Sequence, residues 1–115
     1  MLEIRNKTIF LTRGDTADIT FVPRIHRQGT LRPLEATDTC IFRLEVDAKT
    51  VIEINCVVDY EFNVIHLHLV PNNTLSLKPK TYKYELELVT AGDDHYTFVA
   101  DSDFIIGKEI ERHGV

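Results

Sequence analysis

The chain has 115 residues, 43% of them hydrophobic and 27% charged, with a formal net charge of -5. That length suits one domain with its own core, and the composition excludes a disordered chain. The negative balance speaks against nucleic acid or an anionic membrane as partner, and no apolar run reaches the roughly 18 residues of a membrane span.

The opening residues, MLEIRNKTIF, carry Glu3 and too short an apolar stretch for a signal peptide, so synthesis in the cytoplasm is expected. Thr8 to Thr12 is the first predicted strand, and it runs into Arg13-Gly14-Asp15. The triplet spells an integrin-binding sequence, but it joins two predicted strands and follows no secretion signal, so a tight turn is the simpler reading. The second strand spans Thr16 to Ile25. Ala17, Ile19 and Phe21 alternate with Asp18 and Thr20, which leaves one wet face. Pro23 makes the end of this strand an edge or a bulge.

His26 to Thr37 is the longest irregular piece, with Gly29 and Pro33 and no period, and reads as a surface loop. Arg24, His26, Arg27 and Arg32 make it the one positive patch on an acidic chain. It is either a solvated loop or a docking loop for an acidic partner, since loops at the ends of such domains carry binding.

The next strand is Asp38 to Asp47, with Cys40, Phe42, Leu44 and Val46 facing one way and Arg43 and Glu45 the other. A turn at Ala48-Lys49 leads into Val51-Ile52-Glu53-Ile54, and a further short strand is expected at Val57 and Val58. The two cysteines, Cys40 and Cys56, have no zinc spacing. Without a signal for an oxidising compartment, they are read as free thiols rather than a bridge.

After a turn at Glu61-Phe62-Asn63, the strand Val64 to Val70 points Ile65, Leu67 and Leu69 inward and His66 and His68 outward. Two histidines at i and i+2 could hold a metal if a third ligand approached. No spacing supplies one, and a polar outer face is the preferred reading. Pro71-Asn72-Asn73 ends the strand, and Thr74 to Leu77 suits one turn of helix, with Thr74 as its cap.

The most regular strand follows. Tyr82, Tyr84, Leu86 and Leu88 share one face, and Lys83, Glu85 and Glu87 the other. A tyrosine two residues before the central core position of such a strand is the corner tyrosine of immunoglobulin-like sandwiches, whose hydroxyl bonds back to the preceding backbone. Tyr82 fits that place and Tyr84 the core position. Gly92-Asp93-Asp94 turns the chain into Tyr96 to Ala100, Asp101-Ser102-Asp103 interrupts it as a bulge, and Phe104-Ile105-Ile106 resumes. His95 beside Asp93 and Asp94, and the acidic group Asp93, Asp94, Asp101 and Asp103, are explained by turn chemistry and lack the pattern of a calcium loop.

Seven or eight short strands without helical periodicity describe an all-β chain, an antiparallel β-sandwich of immunoglobulin-like type, with a small β-barrel as the alternative. The domain is expected over residues 1–108, and 109–115 reads as a polar tail. With no nucleophile elbow, phosphate loop or metal spacing, neither an enzyme nor a cofactor is expected.

In order and spacing the chain resembles the immunoglobulin-like domain of phage baseplate upper proteins and related prophage tail components. The residues that carry the resemblance are Arg13-Gly14-Asp15-Thr16 before an alternating strand, Asp38-Thr39-Cys40-Ile41-Phe42, and Val51-Ile52-Glu53. Leu69-Val70-Pro71, Asn73-Thr74 and Leu77 follow, then Thr81-Tyr82-Lys83-Tyr84-Glu85-Leu86 and the final hairpin through Tyr96-Thr97-Phe98 and Phe104-Ile105-Ile106. Lys80 and Asn73 depart from the glycine and aspartate common there. The resemblance implies a structural adaptor of a phage tail, resident in the virion. Its partners would be other tail or baseplate proteins, and a homo-oligomer suits that architecture. The competing reading is a generic β-sandwich binding module for a carbohydrate or surface ligand. Tyr60, Phe62 and Phe10 are the only aromatics expected to be exposed for that purpose.

Overall fold

The structure is a computed structural model that describes residues 1–27 and 30–108, with the backbone alone for 25–27, 30 and 31. The expected tail at 109–115 lies outside the described residues. The chain is nearly all β. It forms β1 (Leu2–Arg5), β2 (Thr8–Thr12), β3 (Ala17–Phe21), β4 (Ile25–Arg27), β5 (Thr30–Arg32), β6 (Thr39–Val46), β7 (Lys49–Asp59) and β8 (Val64–Leu69). A single helical turn, α1 (Pro71–Thr74), precedes β9 (Thr81–Val89) and β10 (His95–Gly107). Among the described residues no helix is long and apolar enough to cross a membrane.

Eight strands make one sheet in the order β1-β2-β10-β9-β6-β7-β8-β3, and β4 and β5 pair as a separate two-stranded sheet. The large sheet curls until it is nearly closed and barrel-like. It is mixed rather than antiparallel throughout, because β10 lies parallel to β2, with Phe104 opposite Ile9 and Gly107 opposite Thr12. The β9–β10 hairpin fixes the direction of β10, and β2 joins its free edge running the same way. The long strand β7 holds the two parts of the sheet together. Residues 49–56 pair with β6, and from Val57 the strand pairs with β8.

Side-chain alternation explains the core. Ile9 and Leu11, Ala17 and Ile19, Phe42 and Leu44, Ile65, Leu67 and Leu69, and Tyr82 to Leu88 at every second position are all buried. Phe42, Tyr84 and Phe104 meet with ring centroids 5.8, 6.0 and 6.1 Å apart, in the tilted and edge-on arrangements that aromatic quadrupoles favour. Asp101 adopts φ +50°, and the β9–β10 register shifts between Val99 and Ser102. This bulge changes the parity of β10, so that Val99 faces inward before it and Phe104 and Ile106 after it.

Several local details differ from the sequence reading. Leu2–Arg5 is an additional edge strand on β2. The segment expected to be irregular contains the β4–β5 hairpin. The β6–β7 turn is Asp47-Ala48, both with positive φ (51° and 62°), the twist that a two-residue hairpin prefers. The helical turn starts at Pro71 rather than Thr74. Proline has no N–H to lose at the first helical position, and the Asn73 side chain accepts a hydrogen bond from the Val70 N–H at 2.7 Å.

Candidate functional site

The basic loop begins where β3 ends. Pro23 is buried, Arg24 is exposed, and the chain enters the β4–β5 hairpin. Of His26 and Arg27 the structure describes only the backbone, which pairs them with Leu31 and Thr30; their side chains lie outside the described residues. Arg32 is not displayed for docking. Its side chain is 6% exposed, and its guanidinium forms a two-pronged pair with Asp38, Nη1 to Oδ2 at 2.9 Å and Nη2 to Oδ1 at 2.7 Å. Nη2 also donates to Glu35 at 2.9 Å and Nη1 to the Pro33 carbonyl at 3.3 Å. The Glu35 N–H donates to Asp38 at 2.8 Å, and the Asp38 N–H to the Glu35 carbonyl at 3.0 Å. The hydrogen bond to Asp38 holds the Arg32 pKa above its ordinary value against the opposing effect of burial. Burial alone would raise the Asp38 carboxyl; the hydrogen bonds from Arg32 and from the Glu35 backbone outweigh it, and the pKa lies below the ordinary value. Arg32 therefore roots the hairpin to the start of β6.

A second tie reaches across to the neighbouring turn. The Asn63 side chain accepts a hydrogen bond from the Leu34 N–H at 2.8 Å, and Asn63 itself has φ +55°. This joins the hairpin root to the β7–β8 turn, which carries Phe62, 77% exposed, and the exposed Tyr60. Because Phe21 pairs with Ile65 and Asp59 with Val64, exposed Val22 lies at the same end of the sheet. Arg24, Val22, Tyr60 and Phe62 thus share one end of the domain beside the hairpin. Sequence reasoning found the basic residues and the two aromatics, but not their common location. The signal for the root was the spacing Arg32, Glu35, Asp38, which places two acids three and six residues after a loop arginine.

The remaining candidates have structural partners. Tyr82 donates its hydroxyl to the Lys78 carbonyl at 2.8 Å and closes the corner before β9; Tyr84 is 2% exposed and donates to the Lys7 carbonyl at 2.5 Å. Burial raises both phenols, Tyr84 to about 12. In the Arg13-Gly14-Asp15 turn, Gly14 has φ +82° and donates its N–H to buried Thr74 at 2.8 Å, Arg13 Nη1 reaches the Leu77 carbonyl at 3.5 Å, and Asp15 pairs with the N-terminal amine. The tripeptide is packed against the α1 corner.

His68 meets Asp18 at 2.5 Å, and His66 meets Thr20 at 3.1 Å and Asp59 at 3.6 Å. Each imidazole has its own neighbours, and among the described residues no three ligand-type side chains converge as a metal site. Across β6, β7 and β9, Arg43 contacts Glu53 at 3.2 Å and Glu87 at 3.4 Å, while His95 at the start of β10 contacts Asp93 at 3.0 Å and Glu87 at 3.4 Å. The hydrogen bond to Asp93, then that to Glu87, raises the His95 pKa. The chain matches no family model, no curated protein and no solved structure.

Proposed function

We propose that this chain is a non-enzymatic adaptor module of a phage or prophage tail, working through protein–protein contacts at the end that carries the β4–β5 hairpin. We infer that its finer fold is the immunoglobulin-like sandwich, with β7 shared between two leaves. The corner bond from Tyr82 to Lys78 and the division of β7 between β6 and β8 support that assignment. The sequence resemblance supports the tail role.

The observation that carries the docking surface is the grouping of exposed Arg24, Val22, Tyr60 and Phe62 at one end, beside a hairpin rooted by the Arg32–Asp38 pair. Aromatic and arginine side chains at a rigid end are the usual anchors of a protein interface. The test is light scattering on a sizing column over a range of concentrations, with Arg24→Glu and Phe62→Asp as paired variants. A trimer, hexamer or ring that both variants reduce to monomer is the expected result.

Exposed Tyr60 and Phe62 also favour a carbohydrate-binding module. A monomer at every concentration that binds a glycan array, and loses binding on Phe62→Ala, would replace the adaptor reading with that one.

A further inference from the structure

Cys40 on β6 and Cys56 on β7 are direct partners in the antiparallel register. Directly opposed residues in such a pair point to the same face, with Cα atoms about 4.5–5.5 Å apart. That separation falls within the roughly 4.4–6.8 Å over which a disulfide closes without backbone movement. Both cysteines are free, and each thiol perturbs the ionisation of the other. Their position in the sheet is specific. Cys56 is the last residue of β7 paired to β6, and the next residue already pairs with β8.

The two residues differ in exposure. Cys40 is 1% exposed, whereas Cys56 is half-buried. A cleft of about 440 Å³ is lined by both cysteines together with Thr39 and Asn55. The neighbouring Cys40 thiol lowers the Cys56 pKa, against the opposing effect of burial. A lowered pKa and partial exposure mark the attacking partner of a thiol pair.

We propose that Cys40 and Cys56 form a thiol–disulfide exchange site, which a small disulfide of the glutathione class closes into a cross-strand bridge between β6 and β7. Cys56 gives its proton to water, and its thiolate attacks one sulfur of the small disulfide. The bond between its two sulfurs breaks, and one small thiolate departs. Cys40 then gives its proton to that departing thiolate, and its own thiolate attacks the Cys56 sulfur of the mixed disulfide; the bond to the second small sulfur breaks, and that thiolate departs and takes up the proton that Cys56 gave to water. Two protein thiols are oxidised and one small disulfide is reduced to two thiols. A reversible bridge suits a pair already in register. The bridge would fasten β7 to β6 at the residue where the strand changes partners.

The test is incubation of the folded chain with oxidised glutathione, acid quenching, and intact-mass measurement with thiol titration. The expected result is a monomer lighter by two hydrogens, with no retained adduct, both thiols lost to titration, and a non-reduced digest joining the Cys40 and Cys56 peptides. In Cys40→Ser the mixed disulfide at Cys56 persists; in Cys56→Ser the remaining thiol resists modification until the chain is unfolded. Wild-type protein that retains a glutathione adduct, that forms a disulfide-linked dimer, or whose folded thiols remain unreacted would overturn the proposal. The wild-type mass alone decides among these outcomes if either serine variant fails to fold.

Discussion

Replacing Asp38 with alanine removes the carboxylate that neutralises a buried guanidinium. The Asp38 side chain is 0% exposed and that of Arg32 is 6% exposed, so the variant leaves a charge with little access to water. Breaking a buried ion pair from one side costs about 3–5 kcal/mol. Arg32 retains Glu35 at 2.9 Å and the Pro33 carbonyl at 3.3 Å, and Glu35 is itself 61% exposed, so we expect the lower end, about 3 kcal/mol. That is a large part of the roughly 5–15 kcal/mol available to a domain. With a urea slope of about 2 kcal/mol/M the midpoint falls by about 1.5 M, the slope itself unchanged. Tyrosine fluorescence and far-ultraviolet circular dichroism both report the transition, since the chain has four tyrosines and no tryptophan. The double variant Arg32→Met with Asp38→Leu removes both charges and should recover most of the loss. A single-variant cost below about 1 kcal/mol, the range of exposed pairs, or a double variant as unstable as the sum of the two single ones, would refute the assignment of this pair as the buried root of the hairpin.

Acid should weaken the same root. Asp38 has a lowered pKa in the folded chain, so its contribution to stability is complete above the unfolded value of about 3.9 and is lost as pH falls through the folded value; the Asp38→Ala variant should show a shallower acid loss in urea titrations at stepped pH. Gly14→Ala should destabilise by about 1 kcal/mol or more, because it imposes a left-handed alanine where a Cβ would lie 2.9 Å from Leu75 Cδ2; Leu75→Ala in the same chain relieves the contact but not the backbone strain. Tyr82→Phe should cost about 1 kcal/mol in thermal or urea unfolding through loss of the bond to Lys78, and wild-type stability in that variant would show that the corner bond contributes nothing net. For His95 the folded pKa lies above 6.5, so its contribution is present below the unfolded value and is lost as pH rises through the folded one; an NMR titration should show the raised value, and Asp93→Asn should bring it down.

Much of the fold was legible where one strand face is buried and the other wet. The alternation of Thr39–Val46, Val64–Leu69 and Thr81–Val89 marks their inner faces directly, and Asp101-Ser102-Asp103 marks the bulge. The continuity of β7 was also present, since Ile52, Ile54, Cys56 and Val58 keep a period of two as half-buried positions. It is missed when Cys56 is taken as a break rather than as a small apolar residue. What local pattern does not encode is partnership between distant strands. Neither the parallel pairing of β2 with β10 nor the opposition of Cys40 and Cys56 follows from spacing along the chain, because register is set by the whole sheet. Arg32 shows the same limit at the candidate site. By composition it belongs with Arg24 in a basic patch, yet burial against Asp38 makes it a fastening for the hairpin instead.

The parallel neighbours β2 and β10 also determine how the domain would bear tension. Residues Phe104 to Gly107 lie beside Ile9 to Thr12 in the same direction. Force applied at the start of β2 and the end of β10 therefore slides the two strands past each other and loads their hydrogen bonds together. The outer hairpin formed by β1 would peel first, bond by bond, because β1 runs antiparallel to β2. A chain pulled from its two ends would thus yield a short length easily and then resist. Under tension the domain thus combines a compliant lead with a stiff body.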